Sequence, residues 1–197
     1  MSLRSSTTTV RAFSAFPTAP PEVRNPIPTE QAVAMEATVR RYFQGVHNKD
    51  AAMIRSCFAD TATIRDVCGL NAQERTVDAD VLVERCMDFV TAHPDCAINF
   101  YYGPTCGRTP VSSGDADKDN ACWVVAHWYE TGTWSGESCG IPPQHTPMAC
   151  EGQTRFRVDP TEMKIVEFVV TRTFTEWEKA FQEKQQQQQA ETASSSS

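Results

Sequence analysis

The run Cys122-Trp-Val-Val-Ala-His-Trp-Tyr-Glu130 holds a histidine among aromatic and aliphatic residues, and imidazole is the side chain that exchanges a proton most readily near neutral pH. If the run is a strand, alternation puts Trp123, Val125, His127 and Tyr129 on one side and Cys122, Val124, Ala126, Trp128 and Glu130 on the other. Both sides are apolar enough to be covered, one by helices and a cavity, the other by a partner subunit or a terminal helix. His127 therefore has two readings: a catalytic acid or base, or a neutral hydrogen-bonded histidine in the core or an interface. Trp128, Trp134 and Phe168 also have two, as the lining of an apolar ligand pocket or as core and dimer contacts. Glu130 and Glu151 are expected to pair across strands with Arg155, Arg157 or Arg172 and to belong to the sheet surface.

Metal chemistry has no footing in the pattern. The four histidines (47, 93, 127 and 145) lie far apart, and the eight cysteines contain no C-x-x-C pair. Those cysteines are spread through apolar runs of a chain too long to need stapling, so they read as buried reduced thiols. No metal or other cofactor is expected.

The elements that must position these groups change period partway along the chain. Thr29 can cap a helix running to about His47, with Ala32, Met35, Val39, Tyr42, Phe43 and Val46 at helical spacing. Tyr42 lies on that apolar stripe, where a tyrosine can be core with its hydroxyl satisfied at the edge. Asp50 can cap a second helix carrying Met53, Ile54, Cys57 and Phe58. Thr61 to Val67 reads as a short strand, and Cys68 to Thr76 as a polar loop. Asp66, near the end of that strand, can pair with Arg65 or close the turn into the loop. A third helix starts at Asp78 or Asp80, with Leu82, Cys86, Phe89 and Val90 as its buried stripe and Pro94 just beyond its end.

From Ala97 onward the period is that of strands: Ala97 to Tyr102, Ala121 to Trp134, Met148 to Val158 and Lys164 to Thr173. Gly103 to Asn120 is a long loop, and Thr175 caps a short terminal helix in which Trp177 and Phe181 are one turn apart. Helices followed by consecutive strands predict an α+β domain, with helices on one face of a curved, largely antiparallel sheet and a cavity at the open end of the resulting cone. Gly132 to Pro147, with three glycines and three prolines, joins two of the strands as a stiff, shaped connection.

The ends read differently. Residues 1 to 28 carry three arginines, many Ser and Thr, and no acid before Glu22, the composition of an organellar transit peptide or of a disordered polar leader. A single domain is expected over 29–184, followed by a disordered Gln/Ser tail at 185–197. With 18 Lys and Arg against 25 Asp and Glu, a net charge of −7, no basic stripe invites nucleic acid. No apolar run approaches the ~20 residues that cross a bilayer. The expectation is an intracellular soluble protein, in a mitochondrion or plastid if the leader is a transit peptide and in the cytoplasm if it is not.

Tyr42-Phe-Gln-Gly-Val-His-Asn-Lys-Asp50 and Phe58-Ala-Asp-Thr-Ala-Thr-Ile-Arg-Asp66 together resemble the opening of the nuclear transport factor 2-like superfamily. Thr131-Gly-Thr-Trp-Ser-Gly-Glu137, Gly140-Ile-Pro-Pro143, Glu151-Gly152, Arg155-Phe-Arg157 and Lys164-Ile-Val-Glu167 resemble the second half of its SnoaL-like polyketide-cyclase branch. The resemblance covers roughly residues 30 to 173. It implies a cone-shaped fold with three N-terminal helices and a short C-terminal one, an apolar pocket for a hydrophobic small molecule, and a homodimer through the sheet face. The first half is also similar to ketosteroid isomerase, which implies Asp66 as general base and Tyr42 as the oxyanion-stabilising phenol, with His127 assisting. That family's second oxyanion acid would fall at about Gly152, and the SnoaL-like branch usually has His at the Trp134 position. If the chain is an enzyme, the resemblance implies a metal-independent isomerase or lyase: an isomerase, cyclase or dehydratase moving protons on a hydrophobic carbonyl compound. The alternatives are a ligand-binding module without catalysis and a dimeric interaction protein of the same fold.

Overall fold

The computed structural model describes residues 27–66, 74–108, 122–138, 141–173, 179–180 and 182–184. The leader up to residue 26, most of the expected loop after residue 108, the pair Trp177 and Phe181, and the tail from residue 185 lie outside the described residues.

Helix α1, Thr29–Asn48, buries Met35, Val39, Phe43 and Val46 along one stripe. Its cap is Pro28, one residue earlier than expected; proline holds φ at −54° and supplies no side-chain hydrogen bond. The chain leaves α1 through Lys49 in the left-handed region (φ 57°) and enters α2, Ala51–Ser56. Asp50 caps α2 as expected, accepting from the Met53 amide at 2.9 Å. Phe58, expected on this helix, instead opens strand β1, Phe58–Asp66.

Two further elements differ from expectation. Residues Arg75–Asp78, expected as the end of a loop and the start of a helix, form a short strand, β2, because Thr76 and Val77 pair with β1 and the Thr63 and Thr76 hydroxyls meet at 3.1 Å. After α3, Ala79–Ala92, strand β3 runs from Ala97 to Arg108, well past the expected end at Tyr102. Gly103 and Pro104 fall where the register with the next strand shifts, so the missing proline donor breaks no ladder bond. Helix α1 holds this extension: Arg40 donates to the Pro104 carbonyl at 3.2 Å, and Glu36 accepts from the Cys106 amide at 2.9 Å.

Strands β4 (Cys122–Trp134), β5 (Thr146–Asp159) and β6 (Lys164–Arg172) complete a six-stranded sheet in the order β2-β1-β6-β5-β4-β3. All neighbours are antiparallel except β1 and β6, which run parallel. Residues 179–180 and 182–184 are helical, consistent with a terminal helix. Helix α1 packs on β3, β4 and β6, and the core lies between them: Val124, Ala126 and Phe156 from the sheet against Met35, Val39 and Ile54.

The connection between β4 and β5 is tied to the end of α3. The amides of Ser135 and Gly136 both donate to the Ala92 carbonyl, at 3.0 and 2.9 Å, and Ser138 donates to Asp88 at 2.6 Å. A Cβ on Gly136 would stand 2.8 Å from the Ala92 Cα, so this glycine permits the close approach. Trp134, Ala92 and Ile141 form a separate small cluster here.

At the centre of the sheet, Gly152 on β5 sits opposite Trp128 on β4 and Arg172 on β6. An added Cβ would lie 2.7 Å from the Thr171 carbonyl oxygen, 2.7 Å from the Arg172 Cβ and 2.9 Å from the Trp128 ring. The indole fills the space, and its Nε1 donates to the buried Thr154 hydroxyl at 2.8 Å. Gly152→Ala is expected to destabilise the fold by about 1–3 kcal/mol, because the nearest obstacle is backbone and cannot swing away. A fall in the urea unfolding midpoint checks this; an unchanged midpoint would contradict the packing.

Candidate active site

The sheet and helices line a half-open cavity of about 230 Å³. Helix α1 contributes Tyr42, Phe43 and Val46, and α3 contributes Phe89. Most of the sheet wall is aromatic or aliphatic, with Trp128, Phe156 and Phe168 facing in. Two charged side chains stand in this wall: Glu130 of β4 and Arg172 of β6.

Glu130 continues the buried side of its strand, following Val124, Ala126 and Trp128 at every second residue. The expectation that it belongs to the sheet surface is therefore corrected, and the reason is register: alternation carries its carboxyl into the cavity wall. Removal from water pushes its pKa from 4.5 up to about 7, while the positive charge of Arg172 pulls the other way. Among the described residues, none hydrogen-bonds the carboxylate.

Tyr42 lies across the cavity, its ring held edge-on by Phe43 and Phe58 at centroid distances of 5.1 and 5.6 Å. Its hydroxyl is 3.8 Å from the Cys86 sulfur. Burial, then Cys86, then the more distant charge of Glu130 raise the phenol pKa well above its usual value, so the hydroxyl stays protonated and can donate. Cys150 faces the cavity as well; burial raises its thiol, which argues against a thiolate nucleophile.

Asp66 is on the inner side at the rim. Its Oδ2 accepts from Nε (3.0 Å) and Nη2 (2.6 Å) of Arg172, and it is Arg172, rather than Asp66, that forms part of the cavity wall. Tyr42, Trp128 and Phe168 thus come together in the cavity, with Asp66 one side chain behind it. His127 takes the opposite face of β4, between the rings of Tyr101 (4.7 Å) and Tyr102 (5.4 Å). Trp134 is on the inner side of β4 but four residues beyond Glu130, roughly 13 Å farther along at strand rise. There it packs against the end of α3, and its Nε1 donates to the Gly136 carbonyl at 2.9 Å.

Among the described residues there is no cluster of His, Cys, Asp and Glu able to hold a metal, and Cys57, Cys86, Cys96, Cys122 and Cys150 carry free thiols. No described helix is long and apolar enough to cross a membrane.

No protein-family model matches the chain, and no curated protein matches it. Solved structures do. A candidate SnoaL-like polyketide cyclase from Jannaschia sp. CCS1 superposes with a TM-score of 0.55 at 16% identity, over 78% of this chain and 92% of that one. AclR, a candidate hydroxylase from Streptomyces galilaeus, gives 0.54 at 14% identity over 72% and 76%. The epoxide hydrolase/cyclase-like enzyme SalBIII, described in pyran ring formation in polyether salinomycin, gives 0.51 at 21% identity over 74% and 94%. The chain shares the α+β fold of these SnoaL-like polyketide-cyclase structures. That fold serves polyketide cyclases and an epoxide hydrolase/cyclase-like enzyme, and at these identities the likeness is one of fold.

The raised Glu130 carboxyl has a consequence for stability. The folded chain keeps this proton up to about pH 7, whereas the unfolded chain releases it near 4.5. The group's contribution is therefore full below 4.5 and is lost as pH rises through 7, an effect of up to about 3 kcal/mol. Glu130→Gln does not titrate, so its stability relative to the unsubstituted protein is expected to improve across that window. Urea unfolding of both proteins at several pH values measures the difference; a pH-independent difference would refute the burial.

Proposed function

We propose that this protein is a cofactor-independent acid–base enzyme that transfers a proton on a hydrophobic carbonyl compound, in the isomerase, cyclase or dehydratase class. One observation carries the reading: Glu130 and Tyr42 both line the same largely apolar cavity. A carboxylate with a pKa near 7 is matched to taking a proton from carbon at neutral pH and returning it. In that step Glu130 takes the proton next to the carbonyl, and the electron pair moves onto the carbonyl oxygen. Tyr42 donates a hydrogen bond to that oxygen as its charge develops. Glu130, now protonated, returns the proton to the same or a neighbouring carbon. Asp66 serves by holding Arg172, whose charge opposes the upward shift of Glu130.

The outer face supports a compatible proposal, a homodimer joined through the sheet. Tyr101 and Tyr102 are 56% and 46% exposed there beside His127, a large apolar investment for a surface meant only for water.

Deuterium exchange at the carbon beside the carbonyl of 1-tetralone, followed by NMR in D2O, tests the chemistry. Exchange is expected to accelerate as pH rises through about 7, with Glu130→Gln slower by about 10²–10⁴-fold. Tyr42→Phe should lose about 10²–10³-fold. Binding without exchange would instead identify a ligand-binding module, and equal rates for Glu130→Gln would remove Glu130 as base. For the dimer, sedimentation at micromolar concentration is expected to give twice the chain mass; a monomer rejects it.

A further inference from the structure

The acid–base reading leaves the pairing at the cavity rim unused. Arg172 reaches the rim from the end of β6, and its Nε and Nη2 both donate to Oδ2 of Asp66, at the end of β1. That edge of a guanidinium, with two parallel N–H groups, is the one that grips a ligand carboxylate. Asp66 stands on it, so the cation of the wall is matched by an anion of the protein before any ligand arrives. The other charge in the wall is Glu130, itself an acid.

We propose that Asp66 determines the ligand specificity of this cavity: by occupying Arg172 it makes the rim select an uncharged carbonyl compound of one or two rings and turn carboxylates away. A carboxylate entering the cavity would meet the ionised Glu130 in surroundings poor in water, where like charges repel strongly. To gain Arg172 it would have to displace Asp66 from its 2.6 Å contact. Rejection thus comes from a built-in repulsion and from a cation already taken, the two usual sources of discrimination against a wrong partner. The size limit follows from the volume of about 230 Å³, below the about 300 Å³ at which drug-sized ligands begin to be enclosed. Only the choice of a carbonyl compound rests on the proposed proton transfer; the charge preference rests on the rim.

The test reads binding alone. 1-Tetralone and the same ketone bearing a ring carboxylate are titrated into the full chain at about pH 8, where Glu130 is largely ionised, and tryptophan fluorescence is followed, with Trp128 in the wall as a reporter. The neutral ketone is expected to bind at least about tenfold more tightly. Asp66→Asn keeps the shape of the side chain and removes its charge; it should shift the ratio of the two affinities toward the carboxylate by about tenfold. Circular dichroism confirms that the variant folds, and Asp66→Ser replaces it if it does not. Equal binding of the two ligands by the unsubstituted protein, tighter binding of the carboxylate, no binding of either, or an unchanged ratio in a folded Asp66 variant would each overturn the proposal. Selective binding of the neutral ketone without deuterium exchange would remove the proton-transfer reading and leave the specificity in place.

Discussion

Residue 152 has no side chain, and the geometry around the cavity follows from that vacancy. The Trp128 ring and the Arg172 Cβ come from the strands on either side and meet over Gly152 at distances a methyl group would not allow. With the indole seated there, its N–H reaches Thr154, and a broad apolar surface faces the cavity with its one polar atom satisfied. With the stem of Arg172 seated there, its guanidinium meets the end of β1 and Asp66. A larger residue at this point would separate the strands or expel one of the two side chains, and wall and rim would both be lost.

Two carboxylates on the same side of the sheet have opposite surroundings. Asp66 has a guanidinium on its oxygen and a third of its side chain open to solvent. Glu130 lies in the apolar wall with Arg172 acting on it only at a distance, and its proton is held to about pH 7. Environment separates their roles: one carboxylate is spent on an ion pair, while the other keeps a titratable proton where an apolar ligand would lie. Tyr42 completes the arrangement from α1 because burial keeps its hydroxyl protonated.

Much of the fold was legible in the sequence because it rests on period. Helical spacing from Met35 to Val46 and alternation from Cys122 to Trp128 each correspond to a buried face. Motif resemblance pointed to a SnoaL-like fold, and solved structures of that kind share the fold of this chain. What escaped was local pairing: β2 exists because Thr76 and Val77 find β1, and β3 continues through Gly103 and Pro104 because α1 supplies partners. The site was partly legible. Tyr42, Trp128 and Phe168 could be nominated from residue type and resemblance, and they line one cavity. Glu130 was missed although the alternation already put it on the side of Val124, Ala126 and Trp128; a carboxylate continuing a covered face was the signal. The position of Trp134 was not legible, since it depends on where the cavity stops along β4 and on how the following connection docks on α3.

The parallel pair β1 and β6 joins segments roughly a hundred residues apart in the chain. A sheet closed this way cannot grow in the order in which a chain leaves the ribosome, where earlier segments emerge first. Strand β1 lacks its parallel partner until the residues after Lys164 are made. Only then does the Ile165 amide reach the Cys57 carbonyl, at 2.8 Å, and only then does Arg172 meet Asp66. The cavity is thus among the last things the chain acquires: its wall joins a first helix, a middle strand and a final strand, and the slow long-range closure that makes the fold also makes the site.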